Sequence, residues 1–154
     1  MTTSEFDLAH QRAARIGALA ELDEVRLVAV NAELGDPTAD GPYRIQVGIN
    51  PSVTQLENRL LFETTYRIEV RGVGEVMATE LNCRYLATYS LPTPEEQDMD
   101  DLVAFGGVTV FRTVHPYLRE LLHNLSSRLG LPSLTLGVFR VPISAPQNLS
   151  LIHI

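Results

Sequence analysis

Val114-His-Pro-Tyr-Leu-Arg-Glu-Leu-Leu-His-Asn-Leu-Ser-Ser-Arg-Leu-Gly-Leu-Pro-Ser-Leu-Thr-Leu136 is the stretch that decides the fold. Pro116 suits the first position of a helix, where its missing N–H costs nothing. Leu118, Leu121, Leu122, Leu125 and Leu129 then recur at helical spacing and form one apolar stripe. Gly130 fits a left-handed cap, and Pro132 prevents continuation. Leu134, Leu136 and Val138 then alternate with small or polar residues, as in a short extended segment.

Such a helix needs a surface to cover, and the preceding residues supply one. Leu60, Phe62, Thr64, Tyr66, Ile68 and Val70 alternate with Leu61, Glu63, Thr65, Arg67, Glu69 and Arg71. After Gly72-Val73-Gly74 a second long strand runs from about Glu75 to Leu91. Its Met77, Thr79, Leu81, Cys83, Tyr85, Ala87 and Tyr89 fall on one face. Strands joined by a tight Gly-x-Gly turn pair antiparallel. Upstream, Tyr43, Ile45, Val47 and Ile49 alternate with polar residues, and Asn50-Pro51-Ser52 reads as the end of that strand. Val25–Leu34 is nearly all apolar at its centre and reads as a mostly buried strand. Gly35-Asp36-Pro37 and Asp40-Gly41-Pro42 mark an irregular connection between these two strands.

Helices flank the strands. Ser4 and Asp7 suit a helix start, with Leu8, Ile16 and Leu19 as a modest stripe. Thr93-Pro94-Glu95-Glu96 reads as a capping box opening another helix, which Gly106-Gly107 should end. A run of strands followed by helices predicts an α+β fold: a four-stranded antiparallel sheet with two C-terminal helices on one face and an N-terminal helical segment.

Composition narrows the function. The 154 residues suit one domain with a substantial core. A net charge of −7 argues against a nucleic-acid surface. All twelve basic residues are arginines, which removes phosphate-loop and Schiff-base lysine chemistry. No run approaches the length of apolar residues that spans a membrane, no secretory signal is expected from the N-terminal residues, and the cytoplasm is the expected compartment. Cys83, the only cysteine, lies on an apolar strand face and reads as inert.

Catalytic and metal chemistry find little support. His115 and His123 are eight residues apart, roughly 12 Å of helical rise, too far to share a metal. Glu95, Glu96, Asp98, Asp100 and Asp101 lack calcium-loop spacing and suit the first turn of a helix. Ser126-Ser127 has no nucleophile-elbow frame. Neither a catalytic residue nor a cofactor is expected. Apolar residues on the second strand faces (Leu61, Val76, Ala78, Leu86) exceed what one helical layer covers and predict self-association or a binding surface.

The block Pro116, Tyr117, Arg119, Glu120, then Pro132, Leu134 and Leu136, resembles the C-terminal segment of the SecB family of ATP-independent export chaperones. The similarity spans roughly residues 25–138 and includes the crossover, the long hairpin and the two helices. It implies a domain over 21–143, preceded by a helical extension at 1–20 as in toxin–antitoxin-associated SecB-like chaperones, and followed by a flexible tail at 144–154. It implies a homo-tetramer, a dimer of dimers. It also implies a groove for unfolded polypeptide clients, export precursors or an antitoxin, lined by Tyr43, Ile45, Val47 and Ile49 with Leu118, Leu122 and Leu125. Glu80 matches an acidic hairpin position and is the expected partner-docking residue. The export motor ATPase is a further implied partner, although the acidic tail of export-type members is not found. The competing expectation is a non-catalytic oligomeric domain enclosing a small apolar ligand.

Overall fold

The computed structural model describes residues 2–131 and the backbone of 150–153. The expected extended segment Leu134–Val138 and the boundary at 144 lie outside the described residues.

Helix α1 (Thr3–Gly17) opens with a capping box made by Thr2 and Glu5, two residues before the expected cap. Strand β1 (Glu21–Leu34) follows, and residues 35–43 cross to β2 (Arg44–Leu56). A meander continues through β3 (Arg59–Arg71) and β4 (Met77–Ser90). Then come α2 (Met99–Phe105) and α3 (Phe111–Arg128), and a short strand β5 (Ser150–His153). The order across the sheet is β1-β4-β3-β2-β5. The first four strands pair antiparallel, and β5 lies parallel to β2 at Ser52–Gln55. The architecture is α+β, with the helices on one face.

Register follows the apolar alternation. Tyr66 lies opposite Cys83, Phe62 opposite Ala87 and Ile68 opposite Leu81. All six are buried beneath the helices. The other face carries a charge ladder: Arg67 reaches Glu69 and Glu80, each at 3.0 Å, and Arg84 reaches Glu63 at 3.5 Å. The expected apolar surplus on that face is therefore small. Ala78 is fully buried, and Leu61, Val76 and Leu86 are only partly exposed.

Four local expectations are corrected. Strand β2 does not stop at Pro51 but continues to Leu56, because the outer edge of β2 tolerates a residue without an N–H. The second helix starts at Asp98, not Thr93. Gln55 holds the intervening connection: its Nε2 donates to the Glu95 carbonyl at 2.8 Å, and its Oε1 accepts from the Gln97 N–H at 3.0 Å. Gly106-Gly107 does not end α2. It opens a π-helical segment (Gly106–Val110) that runs directly into α3. Pro116 consequently lies inside α3 and removes one rung of its ladder. Finally, β1 is mostly exposed, not mostly buried.

The two-residue turn between β2 and β3 places Glu57 at φ 54°, a left-handed conformation that favours glycine. Glu57→Gly should raise stability by up to about 1 kcal/mol, read as a higher urea midpoint at unchanged slope.

Candidate functional site

The helical layer is narrower than the sheet, and this mismatch creates the surfaces of interest. Helix α2 sits on β3 and β4 through Phe105, whose ring lies 5.6 Å from Phe62 and 5.0 Å from Tyr89. The start of α3 is fixed to β4, where the Tyr85 hydroxyl donates to the Tyr117 carbonyl at 3.2 Å. Helix α1 joins the same layer, with Ile16 in the core and Arg12 and Arg15 reaching Asp101. The two central strands are covered. The strands on either side are not fully covered.

On one side lies β2. Tyr43, Ile45, Val47 and Ile49 fall on the helix-facing side, with Ile45, Val47 and Ile49 opposite the buried Val70, Ile68 and Tyr66. All four are half-buried and pack against the core. The outer backbone edge of β2 is paired only at Ser52–Gln55, so among the described residues 44–51 form a free edge. The Tyr43 hydroxyl donates to the Ala39 carbonyl at 3.0 Å, tying the crossover to the start of this strip.

Helix α3 divides the expected groove residues. Leu118 and Leu122 are 0% and 2% exposed and belong to the core. Leu125 is half-buried, as is Leu121. The half-buried pair, Leu121 and Leu125, is therefore the part of the stripe available to a ligand. Glu80 stands on the charged outer face, opposite both Glu33 and Glu69, with Arg67 bridging it. It is not part of the apolar strip.

On the other side lies β1. Leu22, Leu27, Val30 and Leu34 share the helix-facing side, opposite Tyr89, Tyr85, Cys83 and Thr79. Together with Val28 they are 40–47% exposed. No sequence signal distinguished this strand from a buried one, since burial depends on how far the helices reach.

Reactive groups are scarce and held in unreactive states. Burial pushes the Cys83 thiol up to about 12 and raises the Tyr66 and Tyr85 hydroxyls as well. His115, expected at a helix cap, is buried within α3. Among the described residues, no group of three or more His, Cys, Asp or Glu is placed to hold a metal ion. No helix among them is long and apolar enough to cross a membrane.

No protein-family model and no curated protein sequence matches the chain. Among solved structures, it is similar to the Mycobacterium tuberculosis SecB-like chaperone Rv1957 in complex with a ChAD peptide from the HigA1 antitoxin. The TM-score is 0.75 at 20% identity, covering 85% of this chain and 98% of that one. A Streptococcus agalactiae protein of unknown function aligns at a TM-score of 0.38 and 8% identity, over 77% of this chain and 96% of that one, and carries no argument. The fold is SecB-like, as the Pro116–Leu136 block implied.

Proposed function

We propose that this protein is a cytoplasmic, non-catalytic holdase that keeps an unfolded or aggregation-prone polypeptide, an export precursor or an antitoxin, from collapsing without using ATP. The observation that carries this reading is the half-buried apolar strip Tyr43, Ile45, Val47 and Ile49 beside a free strand edge, in a fold shared with a chaperone that binds an antitoxin peptide. An extended client can add its backbone to the 44–51 edge of β2 and place alternate side chains on the strip. In this reading Leu121 and Leu125 of α3, half-buried against the same core, form its flank. Burial at about 25 cal/mol per Å² rewards many sequences and demands no single one. Self-association, toward the tetramer that the resemblance implies, completes the reading, and Glu80 is left for a docking partner. The small-ligand alternative requires space beneath α2 and the start of α3. Phe62, Tyr66, Tyr85, Tyr89 and Phe105 belong to the buried core there, which favours the groove reading.

Two measurements test the proposal. The purified protein should suppress light scattering by a refolding client without nucleotide, and it should bind a labelled, unstructured apolar peptide by anisotropy. Val47→Glu should weaken that peptide about tenfold or more, because a carboxylate replaces roughly 1.5 kcal/mol of apolar burial. Thr65→Glu, on the opposite sheet face, should leave it unchanged. Scattering that is unaltered at equimolar protein would remove the holdase reading.

A further inference from the structure

Residues 141–154 contain no aspartate, glutamate, lysine or arginine, in a chain that is 20% charged. Within them, residues 148–154 hold four aliphatic side chains and neither proline nor glycine, the composition of an aggregation-prone strand. The described part of this stretch is β5, and it lies on the outer edge of β2, with Ser150–His153 in register with Ser52–Gln55. The edge of β2 is thereby divided: 52–55 is taken and, among the described residues, 44–51 is open. The exposure of β2 changes at the same point. Arg44, Gln46, Gly48 and Asn50 are exposed, whereas Ser52 and Thr54 are half-buried and Val53 and Gln55 buried.

We infer, resting on the holdase reading above, that β5 is a built-in competitor: the chain's own apolar segment holds the 52–55 end of the client edge, and an extended polypeptide displaces it. The contact has the form of an exchangeable one. It is four residues long, roughly 13 Å of strand, and parallel, the pairing that is weaker per residue. What β5 gives β2 is backbone hydrogen bonding, which any extended chain can supply. Pro51 has no N–H to offer at the boundary, so a client on 44–50 gains its next donors by reaching past Pro51 to Ser52–Gln55. Client and β5 cannot hold those residues together. The competitor is weak but local. Tethered in the same chain, it acts at an effective concentration on the order of 1 mM. A segment that binds at about 0.1 mM as a free peptide then fills the edge about ten to one, and lowers the affinity of a competing client about tenfold. Short or poorly apolar chains are refused, while long apolar ones overcome the segment and are held.

Releasing and locking β5 test this on the full chain, with the labelled apolar peptide described above as the probe. Leu151→Pro with Ile152→Pro releases it: successive N–H groups of a strand point to opposite sides, so one of the two prolines removes a donor to β2 whichever way the strand is turned. The released protein should bind the probe about tenfold more tightly than the wild type. Unlabelled peptide of residues 148–154, added at millimolar concentration, should bring that affinity back toward the wild-type value. Ser52→Cys with Ser150→Cys locks it, because register partners on neighbouring strands lie roughly 4.8 Å apart, within disulfide reach. Cys83 is buried and stays out of the exchange. The oxidised protein should bind the probe about tenfold or more weakly than the same sample after reduction, a comparison that does not depend on how well the proline variant folds. Equal binding by wild-type, released and locked proteins, or failure of the 52–150 bridge to form, would overturn the competitor and leave the holdase reading standing. Absence of probe binding in all three would remove the holdase reading and the competitor with it.

Discussion

Phe105→Ala should destabilise the protein by about 3–5 kcal/mol, a large share of the roughly 5–15 kcal/mol that holds a domain of this size together. Phe105 is 1% exposed and stacks at a tilt or edge-on against Phe62 and Tyr89. Gly17, at the end of α1, lies close to the same ring. One side chain therefore fastens α1 and α2 to the two central strands, and its removal leaves a cavity bordered by three elements. Phe105→Leu, which retains most of the volume, should cost less than about 1.5 kcal/mol. Urea midpoints at constant slope measure both. A loss below about 1 kcal/mol for the alanine variant would mean that α2 does not rest on the sheet.

Alkaline pH should unfold the protein through its buried weak acids. Burial raises the Cys83 thiol from its ordinary 9.0 to about 12. Burial raises Tyr66 first, with Cys83 and Tyr85 adding to it; burial also dominates for Tyr85, aided by Cys83 and Glu120. Each group is held neutral when folded and ionises more readily when unfolded. The unfolded chain therefore releases protons first, and stability that is complete below pH 9 is lost as pH rises toward 12. Ellipticity followed from pH 8 to 12 should fall steeply over that window. Cys83→Ala should make the fall shallower. The native thiol should resist a disulfide reagent at pH 8 and react fully in denaturant. A flat profile to pH 12, or rapid native labelling, would contradict the buried cluster.

The central hairpin was legible because β3 and β4 lie between two neighbours and under helices, so their alternation maps directly onto burial. Strand β1 was not legible in the same way. Its Val-Arg-Leu-Val-Ala-Val run has the composition of a buried strand, but its environment is set by where α2 and α3 stop, a fact no local pattern contains. The same holds for the start of α2. Thr93 and Glu96 form a sound capping signal, yet Gln55, distant in sequence, holds the backbone at Glu95 and Gln97 in a non-helical path. Asp98 then takes over as cap, accepting from the Asp100 and Asp101 N–H groups. In the candidate groove the β2 residues were readable from their two-residue period. The helix residues were only partly so. A stripe of five leucines shows which side faces the sheet, not which of its members the sheet consumes. The buried face, which Val114, His115 and Ser126 complete, takes Leu118 and Leu122 and leaves Leu121 and Leu125 half-buried.

The π-helical junction at Gly106–Val110 makes α2 and α3 a single rod from Met99 to Arg128. Gly106 lies on the Phe62 ring, where an added Cβ would stand 3.4 Å from its edge. The rod thus rests on a fulcrum about a quarter of the way along its length. Its long arm carries Leu118 and Leu122 into the core, and its short arm ends at Asp98, Asp100 and Asp101, gripped by Arg12 at 3.4–3.8 Å. Because the rod is continuous, any tilt about that point must be matched by travel at the acidic end, so its seat on the sheet is set partly by three carboxylates.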